Sequence, residues 1–534
     1  MSEFFAMFAA DYYKIGHATR MQPEGASWVY STWTARSNKH HPGCDKTVVF
    51  GYQYTMKKLV ELWYKEFFSQ PIDELEAEWL NVIGNTFNAT YADFSKFKKL
   101  HELGHLPLRI LGVAEGVLLP IGIPDHVIMN TDPNFAWLPQ FIEDQWSAMN
   151  WLPSTSATTA FYRRQLLKPY VEITHGKSDN ALDHMCGDFS LRGHTSLEAG
   201  YISGAAHALS FDRTATIGSN LLLEKYYGAD LINHPPMMGT PSLEHSVVEQ
   251  GVARQKLRIV GGELTEDEQY YVYKAMMDNW DINLIAEMLF LYHLLTKVQP
   301  QGIMTYVSDT YDYWGVVSKV VPLLKEVILN RDGCLSIRPD SGDPVKIICG
   351  DPEAEPGTPE FNGTINILAK TFGTNRNEQG FWKLNPHIAM IYGDAITPEI
   401  TKKVGDWCIH NEYDITNICF GIGAYTYQYV TRDTRGYAIK ATACRIDGRE
   451  MPIYKMPKTD PGKKSPRGCI SIHYKDGEYT LIDGLSYEKS TEDMENIMWV
   501  KFEDGVFFNF EDFDTIKERL REEEKKNVEC DDKW

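Results

Sequence analysis

The chain has 534 residues, 43% hydrophobic and 24% charged, which is ordinary for a globular protein and long enough for roughly two to four domains. With 53 basic against 73 acidic residues the formal charge is -20, which argues against non-specific nucleic-acid or anionic-membrane binding and means that a polyanionic substrate would need cations gathered locally. No stretch of about 18 apolar residues suggests a membrane span, and nine scattered cysteines without a C-x-x-C pair read as reduced thiols of a cytoplasmic protein with no zinc site.

In chain order, the start MSEFFAMFAADYYKIGH lacks the basic and apolar blocks of a signal peptide. The first third is rich in aromatics and reads as mixed helix and strand, with a helical apolar pattern over residues 53–68. Residues 140–170 read as helical segments interrupted at Pro153, and His175 to Asp183 as a linker or loop. From about residue 185 the rhythm changes: short apolar runs end in Asp, Gly or Arg and a helix follows. The clearest are GIMTYVSD (302–309), CLSIRPD (334–340), HIAMIYGD (387–394) and ITNICFGIG (415–423). Thr397 before Pro398 is a good N-cap with proline at the first helical position. This alternation predicts an α/β barrel with its active site on the C-terminal rim. Residues 345–386 read as a loop-rich excursion from it, and the charge run DTIKERLREEEKK near the end as a solvated helix face.

Four strand ends carry the candidate chemistry: Asp309 and Asp312 in SDTYD, Arg338 and Asp340 in IRPDSGDP, Gly393 and Asp394 in YGDAITPE, and Gly421 and Gly423 in FGIGAY. In register they suggest one rim for a hydroxylated, phosphorylated ligand. Carboxylates accept from ribose hydroxyls or hold a hydrated magnesium ion, and glycine amides near a helix start cradle phosphate. Plain barrel loops with capping residues are the alternative. In GDFSLRGHTSLEAG, Thr195 and Glu198 read as a capping box, Arg192 precedes that helix start, and Phe189 is a candidate to stack on a planar base; taken alone, the segment favours a core phenylalanine and a surface ion pair. His245 follows Thr240-Pro241 in the first turn of a helix, where it could be a nucleophile oriented by Glu244 or a structural histidine. Arg36, Arg432, Lys440, Lys455 and Lys463 are scattered bases of the type a pyrophosphate requires.

DYYKIGH, VYSTWTAR, GYQY, NTDP, DQWSAMNW, DFSLRG, EHS, SDTYD, IRPDSGDP, GDAIT, FGIGAY with TRD, and RGCISIH, in that order over roughly residues 11–473, resemble the motifs of the nicotinamide phosphoribosyltransferase family, a type that includes nicotinate phosphoribosyltransferases. The resemblance implies an irregular, TIM-like α/β barrel (166–434) and a second, mixed α+β domain built from 1–165 and 435–534. It implies a homodimer with shared active sites, magnesium, and the reaction of nicotinamide with phosphoribosyl pyrophosphate, with ATP as coupling co-substrate. Carried over by position, His245 would be phosphorylated with Glu244 as its partner. Phe189 and the other subunit's Tyr13 would sandwich the pyridine, with Asp11 supporting Tyr13. Arg338, Pro339 and Asp340 would flank base and ribose, and Asp309 would hold ribose or magnesium. Gly393, Asp394, Gly423 and Ala424 would line the 5′-phosphate pocket. Arg192, Arg36, Arg432, Lys440 and Lys455 would meet pyrophosphate or phosphate.

Two departures stand out. Where nicotinamide-specific relatives carry an aspartate for the amide, this chain has Ala215, with Asp212 three residues earlier as a substitute that would face the other side of a strand. This leaves nicotinate open as the base. Ala424 replaces a glycine, which is tolerable if that residue has no need of positive φ. A barrel glycosidase using Asp309 and Asp340, or a non-catalytic phosphoribosyl-binding protein, are the more distant alternatives.

Overall fold

The computed structural model describes residues 6–393, 396–456, 458–459 and 464–526. Thirteen strands build the two main sheets, and three of them come early: β1 (Ala26–Thr34), β2 (Leu108–Gly112) and β3 (Pro124–Asn130). Six short ones follow: β4 (Cys186–Asp188), β5 (Arg213–Thr214), β6 (Met304–Val307), β7 (Leu335–Arg338), β8 (Ile388–Tyr392) and β9 (Ile418–Ile422). Four close the chain: β10 (Ala438–Ile446), β11 (Arg449–Pro452), β12 (Trp499–Glu503) and β13 (Val506–Phe507).

The early and late strands interleave in one antiparallel sheet of order β11-β10-β1-β3-β2-β12-β13. The middle six form a parallel sheet of order β5-β4-β9-β8-β7-β6. All four apolar runs read from the sequence are strands of this sheet, and they are adjacent to one another. Because they run parallel, their C-terminal ends share one edge. The sheet curls, but it has six strands and not the eight of a complete TIM barrel. Between its edges β5 and β6, residues 238–243 make only isolated bridges, Met238 to Arg213 and Ser242 to Thr305. Pro241 has no N–H to extend a ladder there, although its carbonyl still accepts from Thr305 N–H at 2.8 Å.

One cluster of buried side chains packs around the parallel sheet, including Met304, Ile337, Met390 and Phe420. A second, rich in tryptophan, packs on the antiparallel sheet around Trp33, Trp63, Trp79 and Trp146. The 32-residue helix Glu143–Thr174 serves both. It is continuous through Pro153, contrary to the expected break: Leu152 to Arg164 are buried without exception, and packing from every side holds the turn that proline weakens.

Two other expectations are revised. Residues 345–386 contain the helix Pro359–Phe372, whose Ile365 and Leu368 are fully buried in the core of the parallel sheet, so this stretch includes the crossover between β7 and β8. The charged terminal helix Phe513–Lys526 is not simply solvated. Its Arg521 and Glu524 join Asp183 and the fully buried Arg164 in an ion-pair network. Burial opposes charge on Glu524, yet Arg164, Arg521 and Lys168 push its carboxyl down to about 2. No helix among the described residues is long and apolar enough to cross a membrane.

Candidate active site

The C-terminal edge of the parallel sheet collects the predicted strand-end residues. Asp309, just past β6, accepts on Oδ2 from Asp340 N–H (2.9 Å) and Ser341 Oγ–H (2.6 Å), which ties the end of β6 to the end of β7. Its Oδ1 is buried without a hydrogen-bond partner. The helix His245–Gly261 starts at this edge, and His245 Nε2 lies 3.9 Å from both Asp309 Oδ1 and Asp340 Oδ2. Arg338 Nη2 is 4.0 Å from Asp340 Oδ2, and Gly393 N–H approaches the Pro339 carbonyl at 3.5 Å. A Cβ on Gly393 would sit 3.1 Å from Asp340 Oδ1, so glycine there leaves the carboxylate its space. Asp394 falls outside the described residues.

The rim continues onto β9 and β4. A Cβ on Gly421 would meet the Gly393 Cα at 2.7 Å. Phe189 N–H donates to the Ile422 carbonyl (2.8 Å), and Ala215 N–H to the Asp188 carbonyl (2.8 Å). Half-buried Phe189 therefore stands beside the loop of Gly423 and Ala424, and Gly193, next to exposed Arg192, is packed directly on Ala424. Ala424 begins the helix Ala424–Tyr427 and is absent from the positive-φ residues, so glycine is not required there.

The cations gather on the antiparallel sheet. Lys440 pairs with Thr32 in the β1–β10 ladder. Burial holds its amine below the ordinary lysine range; Glu143 pulls it up while Arg36, Lys455 and Arg432 push it down, which places these four cations within electrostatic reach of one another. Arg36 Nε donates to the Gly436 carbonyl (2.8 Å), and Arg432 opens a short helix capped by Thr431. Lys463 falls outside the described residues. Near them, Tyr13 is half exposed; burial and the carboxylates of Asp144, Asp11 and Glu143 push its phenol up to about 12, and Asp11 hydrogen-bonds it. Asp11 N–H is in turn held by Asp144 at 2.9 Å. Tyr13 and Asp11 share no bonding partner with His245 among the described residues.

The nicotinate phosphoribosyltransferase (NAPRTase) family profile matches residues 184–505, which hold the whole parallel sheet and most of this rim. The chain is 33% identical over 96% of its length to a nicotinamide phosphoribosyltransferase of Acinetobacter baylyi, covering 97% of that protein. This chain belongs to the nicotinate phosphoribosyltransferase family. A Xanthomonas campestris pv. campestris protein of the same name is 29% identical, with 80% of each chain covered. Among solved structures, human nicotinic acid phosphoribosyltransferase matches at a TM-score of 0.59 and 14% identity, covering 97% of this chain and 93% of that one. The Pyrococcus furiosus nicotinate-nucleotide pyrophosphorylase matches at 0.54 and 13%, covering 98% and 99%. These two bear on the fold alone.

Within this phosphoribosyltransferase chain three readings need correction. Glu244 does not orient His245: the extended N-cap residue makes no capping bond and its carboxylate accepts from Ser246 Oγ–H, while Thr310 Oγ1 meets His245 Nδ1 at 3.1 Å. Thr310 lies inside SDTYD, and a hydroxyl beside the strand-end aspartate was the signal that could have found it. Asp212 cannot stand in at position 215, because His184 Nδ1 holds its carboxylate at 2.6 Å; burial opposes that charge, but His184 outweighs it and keeps the group below the usual carboxylate range. The helix after Phe189 is capped by Ser196, not Thr195, and Glu198 turns instead to Tyr54 and Lys58.

Proposed function

We propose that this chain transfers the phosphoribosyl group of phosphoribosyl pyrophosphate to nicotinamide, releasing pyrophosphate and nicotinamide mononucleotide. The observation that carries the reading is the convergence of His245, Asp309, Arg338, Asp340 and Gly393 on one rim of a chain this similar to a protein of that name. The C1–N bond forms from the pyridine nitrogen lone pair as the C1–O bond breaks, its electron pair leaving with pyrophosphate. Positive charge builds on the sugar, and Asp309 and Asp340 stand where they would stabilise it through the ribose hydroxyls. Phe189 offers a face to hold the base in line. The ring nitrogen is already nucleophilic, so no strong general base is required.

Several finer points belong to the same proposal. The bridges at 238–243 complete an irregular barrel. The pocket is closed by a second copy, which brings Tyr13 and the Arg36, Arg432, Lys440 and Lys455 cluster to the leaving pyrophosphate. Asp309 fits magnesium by its donor chemistry, since Oδ1 is a carboxylate oxygen with no hydrogen-bond partner. When bound, the ion would neutralise charge on the pyrophosphate. ATP acts by phosphorylating His245, whose Nδ1 is held by Thr310. The free thiols suit a reducing cytoplasm. Exposed Ala215 and the engaged Asp212 favour nicotinate as the second reading of the base.

The test is pyrophosphate release from phosphoribosyl pyrophosphate, magnesium and nicotinamide, with and without ATP. His245→Ala is expected to lose ATP coupling while slow ATP-independent synthesis persists. Undiminished ATP hydrolysis in that variant removes His245 from the role, and no release by the wild type rejects the transferase reading.

A further inference from the structure

We infer that His194 is a positioning residue: with Ser190 and Gln428 it clamps the loop bearing Phe189 and Arg192 to the loop bearing Gly423 and Ala424, fixing the spacing between base slot and phosphate pocket. The inference rests on the proposed roles of those two loops.

Asp188, fully buried at the end of β4, accepts on Oδ1 from Ser190 N–H (3.0 Å) and Ser190 Oγ–H (2.6 Å). Ser190 Oγ lies 3.0 Å from His194 Nε2. On the other side of the ring, Nδ1 lies 3.0 Å from Gln428 Oε1, which also accepts from Thr195 N–H (3.2 Å). The chain Asp188–Ser190–His194–Gln428 thus runs from the core of the sheet across to the second loop. Two glycines let the loops close. A Cβ on Gly193 would lie 2.3 Å from the Ala424 Cβ, and one on Gly200 would press on Leu191 at 2.5 Å and on the His194 ring at 3.4 Å.

Proton bookkeeping fixes how the clamp works. Thr195 N–H identifies the Gln428 oxygen as the atom facing the ring, so Nδ1 must donate. The neutral ring then has a lone pair on Nε2 that competes with Asp188 for the Ser190 Oγ–H hydrogen bond. The charged ring donates from both nitrogens, which leaves Ser190 Oγ–H to Asp188. Gln428 stays bound in either state, and Asp188 keeps Ser190 N–H; what changes is the direction of the Ser190 hydroxyl bond. Burial pushes the ring below the ordinary histidine range, against the Gln428 bond and the Asp188 charge. Asp188 is the charged group that acts on the ring.

The test compares wild type with His194→Ala, His194→Gln, Gln428→Leu and Gln428→Glu. His194→Ala and Gln428→Leu are expected to raise KM for the pyridine base about tenfold, the worth of one good hydrogen bond, with kcat within about threefold. His194→Gln keeps an N–H donor and should recover part of that loss. Gln428→Glu keeps the acceptor and adds charge, and should move the histidine limb of the KM-versus-pH profile upward. Hydrogen exchange read by mass spectrometry needs no turnover: either disruptive variant should lower protection in residues 188–195 and 423–429 together. An unchanged KM in His194→Ala, or loss of protection confined to the mutated loop, overturns the clamp. Failure of the wild type to turn over any pyridine base rejects the functional reading and leaves the exchange result to decide the clamp by itself.

Discussion

Asp309, Arg338, Asp340 and Gly393 stand at the ends of three neighbouring strands and touch through contacts as short as the 2.9 Å bond between Asp340 N–H and Asp309. Arg36 and Lys440 meet in another way, because β1 pairs with β10 from the opposite end of the chain. The first group is set by the parallel sheet, which aligns whatever follows each strand. The second is set by long-range antiparallel pairing, and its members gain little individually beyond charge brought close to charge. Four like charges held close together are an unfavourable arrangement unless a polyanion is expected. The rim is therefore suited to act on the sugar, and the cation cluster to receive what leaves it.

Substitutions can break this contrast. The largest effect is expected on the rim. Asp309→Ala should lower kcat/KM by about 10²-fold or more, because the proposed function sets the carboxylate against the ribose and it also anchors Asp340 and Ser341. A loss under about tenfold, with thermal stability unchanged, would remove Asp309 from the chemistry. Next comes sharing between subunits. Equal amounts of Tyr13→Ala and Asp309→Ala chains, mixed and re-associated, should recover about a quarter of wild-type activity, as expected when half the dimers carry one intact site. No recovery, in dimers shown to have exchanged, would place both groups in one chain's pocket.

On the cation side, Arg432→Ala or Lys440→Ala should raise KM for phosphoribosyl pyrophosphate by about tenfold with kcat little changed. Lys440 lies below the ordinary lysine range, so it loses its proton earlier than a free lysine as pH rises, and the wild-type KM should climb at alkaline pH. A flat profile would contradict the placement of Lys440. The smallest effect concerns Glu287, buried behind the rim and bonded by Tyr306 Oη–H at 3.0 Å. Burial pushes its carboxyl up to about 7. The folded state then holds a proton that the unfolded chain releases, so this group costs stability as pH rises from about 4.5 to 7. Glu287→Gln should raise Tm by roughly a few degrees at pH 8 and by less at pH 5. An equal shift at both values would show that Glu287 titrates normally.

The same contrast explains how much was legible. Strands β6 to β9 announced themselves as apolar runs ending in polar turns, and parallel pairing did the rest. The edge of the sheet was harder to read: β5 has two residues, and the 238–243 bridges have no apolar run behind them. The approach of Arg36 to Lys440 could not be read from spacing at all, since nothing local in either segment names the other. Glu244 was misassigned because adjacency in sequence was taken for adjacency in space: its carboxylate is engaged by Ser246, and His245 turns to Thr310. The long helix through Pro153 and the buried ion pairs of the last helix were hidden for a common reason: tertiary packing overrode a local rule.

The most direct measurement is a competition. Equal amounts of nicotinamide and nicotinate are incubated with the chain, phosphoribosyl pyrophosphate, magnesium and ATP, and the nucleotides are resolved by mass. The proposed function predicts nicotinamide mononucleotide as the main product, formed one for one with pyrophosphate. Accumulation of the acid nucleotide instead, or of no nucleotide, would contradict it.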